Sequence, residues 1–362
     1  MNRYALTFLL LTTLCIGGCV APSDPDPTLA PMAAPLPEPT PLPEVGLHFL
    51  LTGSGSDAAQ IKRLHQGWTA FHPAAWGTTT QRGDLIQPPP GSTVTILCAD
   101  LTLHTLSAEG GSPCQVSQPA LFWNGTRIVN PMSPNTVIPR LLYPRSTHIL
   151  EERPLLRWQD NGASHYTVAI VRGGEVIWTQ TGVAEHELRY PDDAPPLQAG
   201  QTYLLEVRDE DSGASSADDP HKGLGFQRVT DEELATIRQQ EAAIMALPLA
   251  EVEKQFALAN YYAGQRLFGE ALTALELVGS EIESPKVGLW HGRVLTAITR
   301  YEEAEAAYTA ASALAATLGD LESQAQAETL LWELTGNSTH RDNALTLYQQ
   351  LGDTEAIAAL QN

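Results

Sequence analysis

From about Glu251 to Asn362, alanine and leucine recur at helical spacing, and one pattern is written twice there. The first copy is Tyr262-Ala-Gly-Gln-Arg-Leu-Phe268-Gly-Glu-Ala271-Leu-Thr-Ala274-Leu275, the second Leu295-Thr-Ala-Ile-Thr-Arg-Tyr301-Glu-Glu-Ala304-Glu-Ala-Ala307-Tyr308. Each reads as helix, turn, helix. An aromatic residue (Phe268, Tyr301) opens the second helix, and a small alanine (Ala271, Ala304) lets two helices pack closely. The two alanines are 304 − 271 = 33 residues apart. A third copy follows as Ala327-Glu-Thr-Leu-Leu331-Trp332-Glu-Leu334 and, after a polar turn, Arg341-Asp-Asn-Ala344-Leu-Thr-Leu-Tyr348. Its alanine lies 344 − 304 = 40 residues on, the surplus being a longer helix and the loop Leu318-Gly319-Asp320. A helix pair of this kind cannot bury its apolar face alone, so the chain must stack its copies.

The spacing resembles tetratricopeptide repeats, whose period is ~34 residues. Repeat one keeps Leu258, Tyr262, Ala271 and Leu275, repeat two Gly292, Ala304 and Tyr308, and repeat three Leu331, Ala344 and Tyr348. Gln255 stands where that family has an early tryptophan, and Gly292 is the one glycine of the usual small pair. The resemblance implies a scaffold that binds a protein partner on the concave face made by the first helix of each pair. Tyr262, His291, Leu295 and Trp332 are the candidate contacts. An amphipathic helix bundle is the other reading of the same periodicity.

The opposite end constrains location. Met1-Asn-Arg3, an apolar run from Ala5 to Leu14 and the exit Ile16-Gly17-Gly18-Cys19 have the three-part layout of a signal peptide. The run is shorter than the ~20 residues that span a bilayer. The segment resembles a bacterial lipoprotein signal, which implies cleavage before Cys19, a lipid on Cys19 and an outer-membrane address from Val20. Ordinary secretory cleavage beyond Cys19 is the alternative. Prolines at nearly every second position up to Pro43 then favour an extended, semi-rigid spacer.

Between these ends the pattern is β. Gly53-Ser-Gly55-Ser-Asp-Ala58 after Leu47–Leu51 has the G-x-G-x-x-A form of a dinucleotide turn, but no second strand with an acidic end follows, and nucleotide binding is not expected. Trp68, Trp76-Gly77, Gly83-Asp84-Leu85-Ile86 and Val94-Thr-Ile96-Leu-Cys98 resemble the small β domain of FecR-like proteins. Cys98 and Cys114, an even pair in a chain expected outside the cytoplasm, read as a disulfide. Pro154-Leu-Leu156-Arg-Trp158, Tyr166-Thr-Val168-Ala-Ile170 and Leu197-Gln-Ala-Gly200-Gln-Thr-Tyr203-Leu-Leu-Glu-Val207 resemble a fibronectin type III or immunoglobulin-like antiparallel sandwich, with Trp158 in its core and Tyr203 at its corner. Gly173-Gly174 signals a hairpin, and Asp209-Glu-Asp211-Ser-Gly213 a charged turn that lacks the acids of a calcium loop. Thr230-Asp-Glu-Glu233 is a capping box that opens a helix, and Pro248 is expected to start the next.

A net charge of −21, with only Lys62, Lys222, Lys254 and Lys286 as lysines, excludes a nucleic-acid surface of the usual basic kind. No H-E-x-x-H, G-x-S-x-G or phosphate-loop motif is present. The fold class expected is multidomain, with an all-β N-terminal half (β-roll plus β-sandwich) followed by all-α, tetratricopeptide-like helical repeats. The expected divisions are signal peptide 1–18, proline-rich linker 19–44, FecR-like domain 45–140, sandwich 145–229, connecting helix 230–248 and repeats 249–362. The function expected is a lipid-anchored envelope scaffold with a protein partner, no cofactor and no catalysis, its repeats a distal module. A ligand- or glycan-sensing receptor acting through the β domains and an enzyme with an unrecognised site are the competing classes.

Overall fold

The computed structural model describes residues 48–51, 59–114, 138–221 and 224–361. The leader, Cys19, the proline-rich stretch and Gly53–Ala58 lie outside the described residues. Strands occupy the first half and helices the second, so the layout is β then α.

The first β region holds two antiparallel four-stranded sheets. One has the order β4-β1-β6-β7, from β1 (His48–Leu51), β4 (Thr79–Thr80), β6 (Val94–Leu97) and β7 (Leu103–Leu106). The other is β3-β2-β5-β8, from β2 (Ala59–Arg63), β3 (His72–Ala74), β5 (Asp84–Gln87) and β8 (Gly110–Gly111). Alternation explains β2, where Ala59, Ile61 and Arg63 point inward and Gln60 outward. Cys98 and Cys114 are disulfide-bonded, with Cα atoms 5.5 Å apart.

The second region is a sandwich. Its sheets are β14-β11-β9, from β9 (Leu141–Tyr143), β11 (Leu155–Trp158) and β14 (Glu187–Arg189), and β10-β16-β15-β12-β13. The latter comprises β10 (Thr147–Ile149), β12 (Tyr166–Arg172), β13 (Glu175–Val183), β15 (Thr202–Asp209) and β16 (Phe226–Arg228). Trp158, Tyr166, Val168, Ile170, Tyr203, Val207 and Phe226 fill the space between them. The Tyr203 hydroxyl accepts the Gln198 N–H at 2.7 Å, which ties the strand to the chain five residues upstream. Gly173 and Gly174, both at positive φ, turn β12 into β13. One pairing departs from the antiparallel expectation. β10 runs parallel to β16, because the chain enters the sheet beside its own last strand.

Eight helices follow: α1 (Asp231–Met245), α2 (Glu251–Gly264), α3 (Phe268–Glu281), α4 (Pro285–Ala297), α5 (Tyr301–Leu318), α6 (Leu321–Thr335), α7 (Ser338–Leu351) and α8 (Thr354–Gln361). Thr230 and Glu233 form the capping box of α1. Pro248 does not begin α2. The Glu253 carboxylate accepts the Ala250 N–H at 2.8 Å and places the helix start after Ala250. Helices pair as α2–α3, α4–α5 and α6–α7, with Ala271, Ala304 and Ala344 fully buried at the seams. A Cβ on Gly292 would strike the ring of Tyr308, so this crossing of α4 and α5 requires glycine.

The helical array is not a distal module. One apolar cluster joins Ala59, Ile61, Trp68, Ile86 and Ile96 of the first β region to Ala325, Leu347, Tyr348, Leu351 and Leu360 of α6, α7 and α8. Another places Trp76 and Leu97 among the side chains of α2 to α6. The helices carry apolar surface on more than their mutual seams, and the sheets cover the remainder.

Candidate functional site

The helices α4, α6 and α8 each start from a turn whose capping residue is buried. Ser284, Asp320 and Asp353 are 5%, 2% and 3% exposed, and each accepts a backbone N–H at the start of α4, α6 or α8. The first β region lies along this row of caps. The Ser284 hydroxyl donates to the Trp76 carbonyl at 2.6 Å. Trp76 packs on Phe256 with ring centroids 4.7 Å apart. Gly67, at positive φ, brings its backbone against Gly352 and Thr354.

Between β2 and α6 stands a buried charge cluster. Arg63, 2% exposed, donates through Nη1 to Asp84 Oδ2 and through Nε to Glu322 Oε1, both at 2.8 Å, and through Nη2 to the Thr79 carbonyl at 2.9 Å. Lys286 Nζ lies 3.4 Å from the other Glu322 oxygen and donates to Gln326 at 3.1 Å. Burial alone would push the Glu322 carboxyl up, but Arg63 and Lys286 outweigh it and hold the group below the usual carboxylate range. The same two neighbours fix the position of α6 relative to the sheet.

The opposite edge of the array is held by the sandwich. At the α2–α3 turn the Arg266 carbonyl accepts the His148 N–H at 2.9 Å and the Thr147 hydroxyl at 3.0 Å, and Phe268 N–H donates to Thr147 Oγ1 at 3.0 Å. At the α4–α5 turn Arg145, 1% exposed, donates to the Ile298 carbonyl at 2.8 Å, to Thr299 Oγ1 at 2.6 Å and to Asp219 at 3.0 Å. Arg266 and Thr299 occupy equivalent left-handed turn positions, φ 61° and 60°. Their successors close equivalent bonds, Leu267 N–H to Tyr262 O and Arg300 N–H to Leu295 O. The sandwich therefore reads one repeated turn twice.

The four candidate contact residues do not come together. Leu295 is 2% exposed and belongs to the helical core, so it offers no surface to a partner. Tyr262 is half-buried, and its hydroxyl donates to Glu241 of α1 at 2.8 Å. His291 is half-buried on the flank of α4 facing Glu276 of α3, where burial pushes its imidazole down. Trp332 is half-buried against the cluster that contains Ala344 and Tyr348. The reason is the two neighbours of each first helix. Val287, which approaches Gly279 of α3, shares its stripe with His291 and Leu295, while Gly292 faces Tyr308 of α5. Helices α4 and α6 also carry half-buried Arg293, Leu330 and Glu333, with Leu330 packed against the helical core and Arg293 over the Trp290 ring at 5.6 Å. Burial lifts the Glu333 carboxyl to about 7 against the pull of Arg293.

Among the described residues, His65, His186, His221 and His340 stand on carboxylates. Glu328 accepts Ser312 Oγ at 2.7 Å, the Asn343 amide at 3.1 Å and His340 Nδ1 at 2.8 Å. Here the hydroxyl donates to the carboxylate instead of the imidazole, so the group ties α5, α6 and α7 together and does not activate Ser312. Asp209 takes the N–H groups of Asp211 and Ser212, the Ser212 hydroxyl and the Asn161 amide, which closes the charged turn after β15. Among the described residues, no group of three or more His, Cys, Asp or Glu side chains is placed to hold a metal ion, and no helix is long and apolar enough to cross a membrane.

The gripping residues had little signal in the sequence. Leu318-Gly319-Asp320 and Leu351-Gly352-Asp353 repeat one turn 353 − 320 = 33 residues apart, and that repetition marks two of the caps. Arg63, Arg145 and Glu322 look like any surface charge. No protein-family model and no curated protein matches the chain.

Proposed function

We propose that this chain is a lipid-anchored adaptor of the cell envelope, held by Cys19 and its proline-rich spacer, which presents tetratricopeptide-like helix pairs to a protein partner without catalysis. The observation that carries the reading is the grip on both edges of the array. Buried ion pairs and shared caps hold the turns, so the relative positions of α4 and α6 are set before any partner arrives. A preformed surface loses less conformational freedom on association than a mobile one. The contact flank in this proposal is that of Arg293, Leu330 and Glu333, in place of the residues expected from spacing.

Photo-crosslinking in cells tests it with the full chain. A crosslinking residue in place of Leu330 or Glu333 is expected to capture one discrete protein, and the same residue in place of Glu305, exposed on α5, to capture none. Capture only from the sandwich, for instance at Glu206 on β15, would overturn the adaptor reading in favour of a receptor. Anchoring is separable. Cys19→Ala is expected to move the protein from the membrane pellet to the soluble fraction, and retention in the pellet would remove the lipid from the proposal.

A further inference from the structure

Helix α1 is held more lightly than its neighbour α2. Of its 15 residues only Ile237 and Ile244 are buried, against seven of the 14 in α2. These two share a stripe with half-buried Leu234 and Glu241, at the spacing that places residues on one helical face, and most of the rest of α1 is exposed. Glu241 is the one acid of the stripe, its side chain 14% exposed. Non-helical residues flank α1 at both ends, the Thr230 cap and Leu247-Pro248-Leu249, so the helix can lift as a unit.

Facing this stripe is the carboxyl of Glu270, in the first turn of α3. Its Oε2 is buried and accepts no hydrogen bond among the described residues. Each element packed around it brings a titratable or charged group: Glu241 and Arg238 from α1, Tyr262 from α2, Tyr143 from β9, Arg189 from β14 and Glu151 from the turn between β10 and β11. Both cations are engaged elsewhere, Arg238 on Glu241 at 2.7 Å and Arg189 on Glu151 at 3.0 Å. The Tyr262 hydroxyl donates to Glu241 and not to Glu270. Burial first, then Glu151 and Glu241, lifts the Glu270 carboxyl to about 7. On the sandwich side nothing can give way. A Cβ on Gly269 would strike the Tyr143 ring, and Thr147 bonds both sides of the α2–α3 turn. The side free to move is α1.

We propose that α1 is a strap, closed over Glu270 while that carboxyl keeps its proton and lifted as the proton leaves. An ionised Glu270 under the closed strap faces Glu241 and Glu151 with no donor for its buried oxygen, an arrangement that burial makes costly. Lifting α1 lets water reach the carboxylate, carries Glu241 away from it and uncovers only two buried side chains of the helix itself. The closed strap therefore holds a proton that the lifted one releases. The balance shifts toward the lifted strap as pH rises from about 4.5 to about 7, and stays level above that. What the strap uncovers is the side of α2 that carries Tyr262, at the entry to the helical array. This inference goes beyond the adaptor role and does not depend on it.

Hydrogen exchange of the full chain from about pH 5 to about pH 8, with each rate divided by its intrinsic value at that pH, tests this. Protection across Asp231–Met245 is expected to lie at least about tenfold below that of Tyr301–Leu318, because α1 opens alone. It is expected to fall by a further factor of at least about ten between pH 5 and pH 7 and then to level off. In Glu270→Gln, which carries no charge at any pH, α1 is expected to keep its acid-side protection throughout. Should that variant fold poorly, Glu241→Gln removes the facing charge from the strap and is expected to shrink the fall to about threefold or less. Protection of α1 equal to that of α5, protection of α1 that is flat with pH, or a fall that is unchanged in Glu270→Gln overturns the proposal. So does a fall that Glu241→Gln leaves at full size.

Discussion

Arg145 and Arg140 are five residues apart and differ completely in consequence. Arg145 is 1% exposed and joins Asp219 to the α4–α5 turn, whereas Arg140 meets Glu302 at an exposed carboxylate. Arg145→Ala leaves Asp219 buried beside the turn and is expected to lower the unfolding free energy by about 3–5 kcal/mol, against about 0–1 kcal/mol for Arg140→Ala. Urea denaturation of both variants checks the contrast. Glu270, in the first turn of α3, shows the converse case of a carboxyl without a partner for one oxygen. Burial pushes it from the usual 4.5 to about 7, with Glu151 and Glu241 adding to the rise and Arg238 opposing it. Tyr262 and Tyr143 complete the surroundings, both pushed up chiefly by burial and further by these acids. A raised folded value means that the contribution of Glu270 is full below about pH 4.5 and declines as pH rises, until it is lost above about pH 7. Melting temperatures of wild type minus Glu270→Gln are therefore expected to fall across that window, and a flat difference would contradict the buried carboxyl.

At the scale of elements, the helices were legible and their outer contacts were not. Aromatic openers at Phe268 and Tyr301 and alanines at Ala271, Ala304 and Ala344 fall where the sequence places them, because helix period and side-chain volume act within a few residues. The longer α5, which ends at Gly319 in a left-handed cap, accounts for the 40-residue interval. Leu295 lies in the helical core and Tyr262 on Glu241 because periodicity locates an apolar stripe without saying which neighbour covers it. The parallel pairing of β10 with β16 was equally hidden, since its partners are 226 − 147 = 79 residues apart. Capping carries its own prediction. Asp353→Ala removes the acceptor of the Ala356 N–H beneath α8, and a loss of about 0.5–2 kcal/mol is expected, with early hydrogen exchange in Thr354–Gln361.

For the whole molecule, the two β regions hold opposite edges of one helical array. Phe256 is fully buried with Trp76 over it, and Leu347, Tyr348 and Leu351 share a cluster with the first sheets. A fragment of residues 249–362 would expose these side chains, each contributing about 1.5–3 kcal/mol when buried. Such a fragment is expected to bind a hydrophobic dye and to melt broadly, while the full chain unfolds in one cooperative step, a difference that calorimetry resolves. The sequence by itself determined the order β then α, the hairpin at Gly173-Gly174, the capping box at Thr230 and the seams between paired helices. All of these depend on residues close along the chain. Only the tertiary structure decided that Arg63 reaches Glu322 across 259 positions, that Arg145 reaches Thr299, and that the helical array is gripped instead of free. Burial turns an ordinary surface charge into a fixed joint, and burial is a property of what the rest of the chain brings alongside.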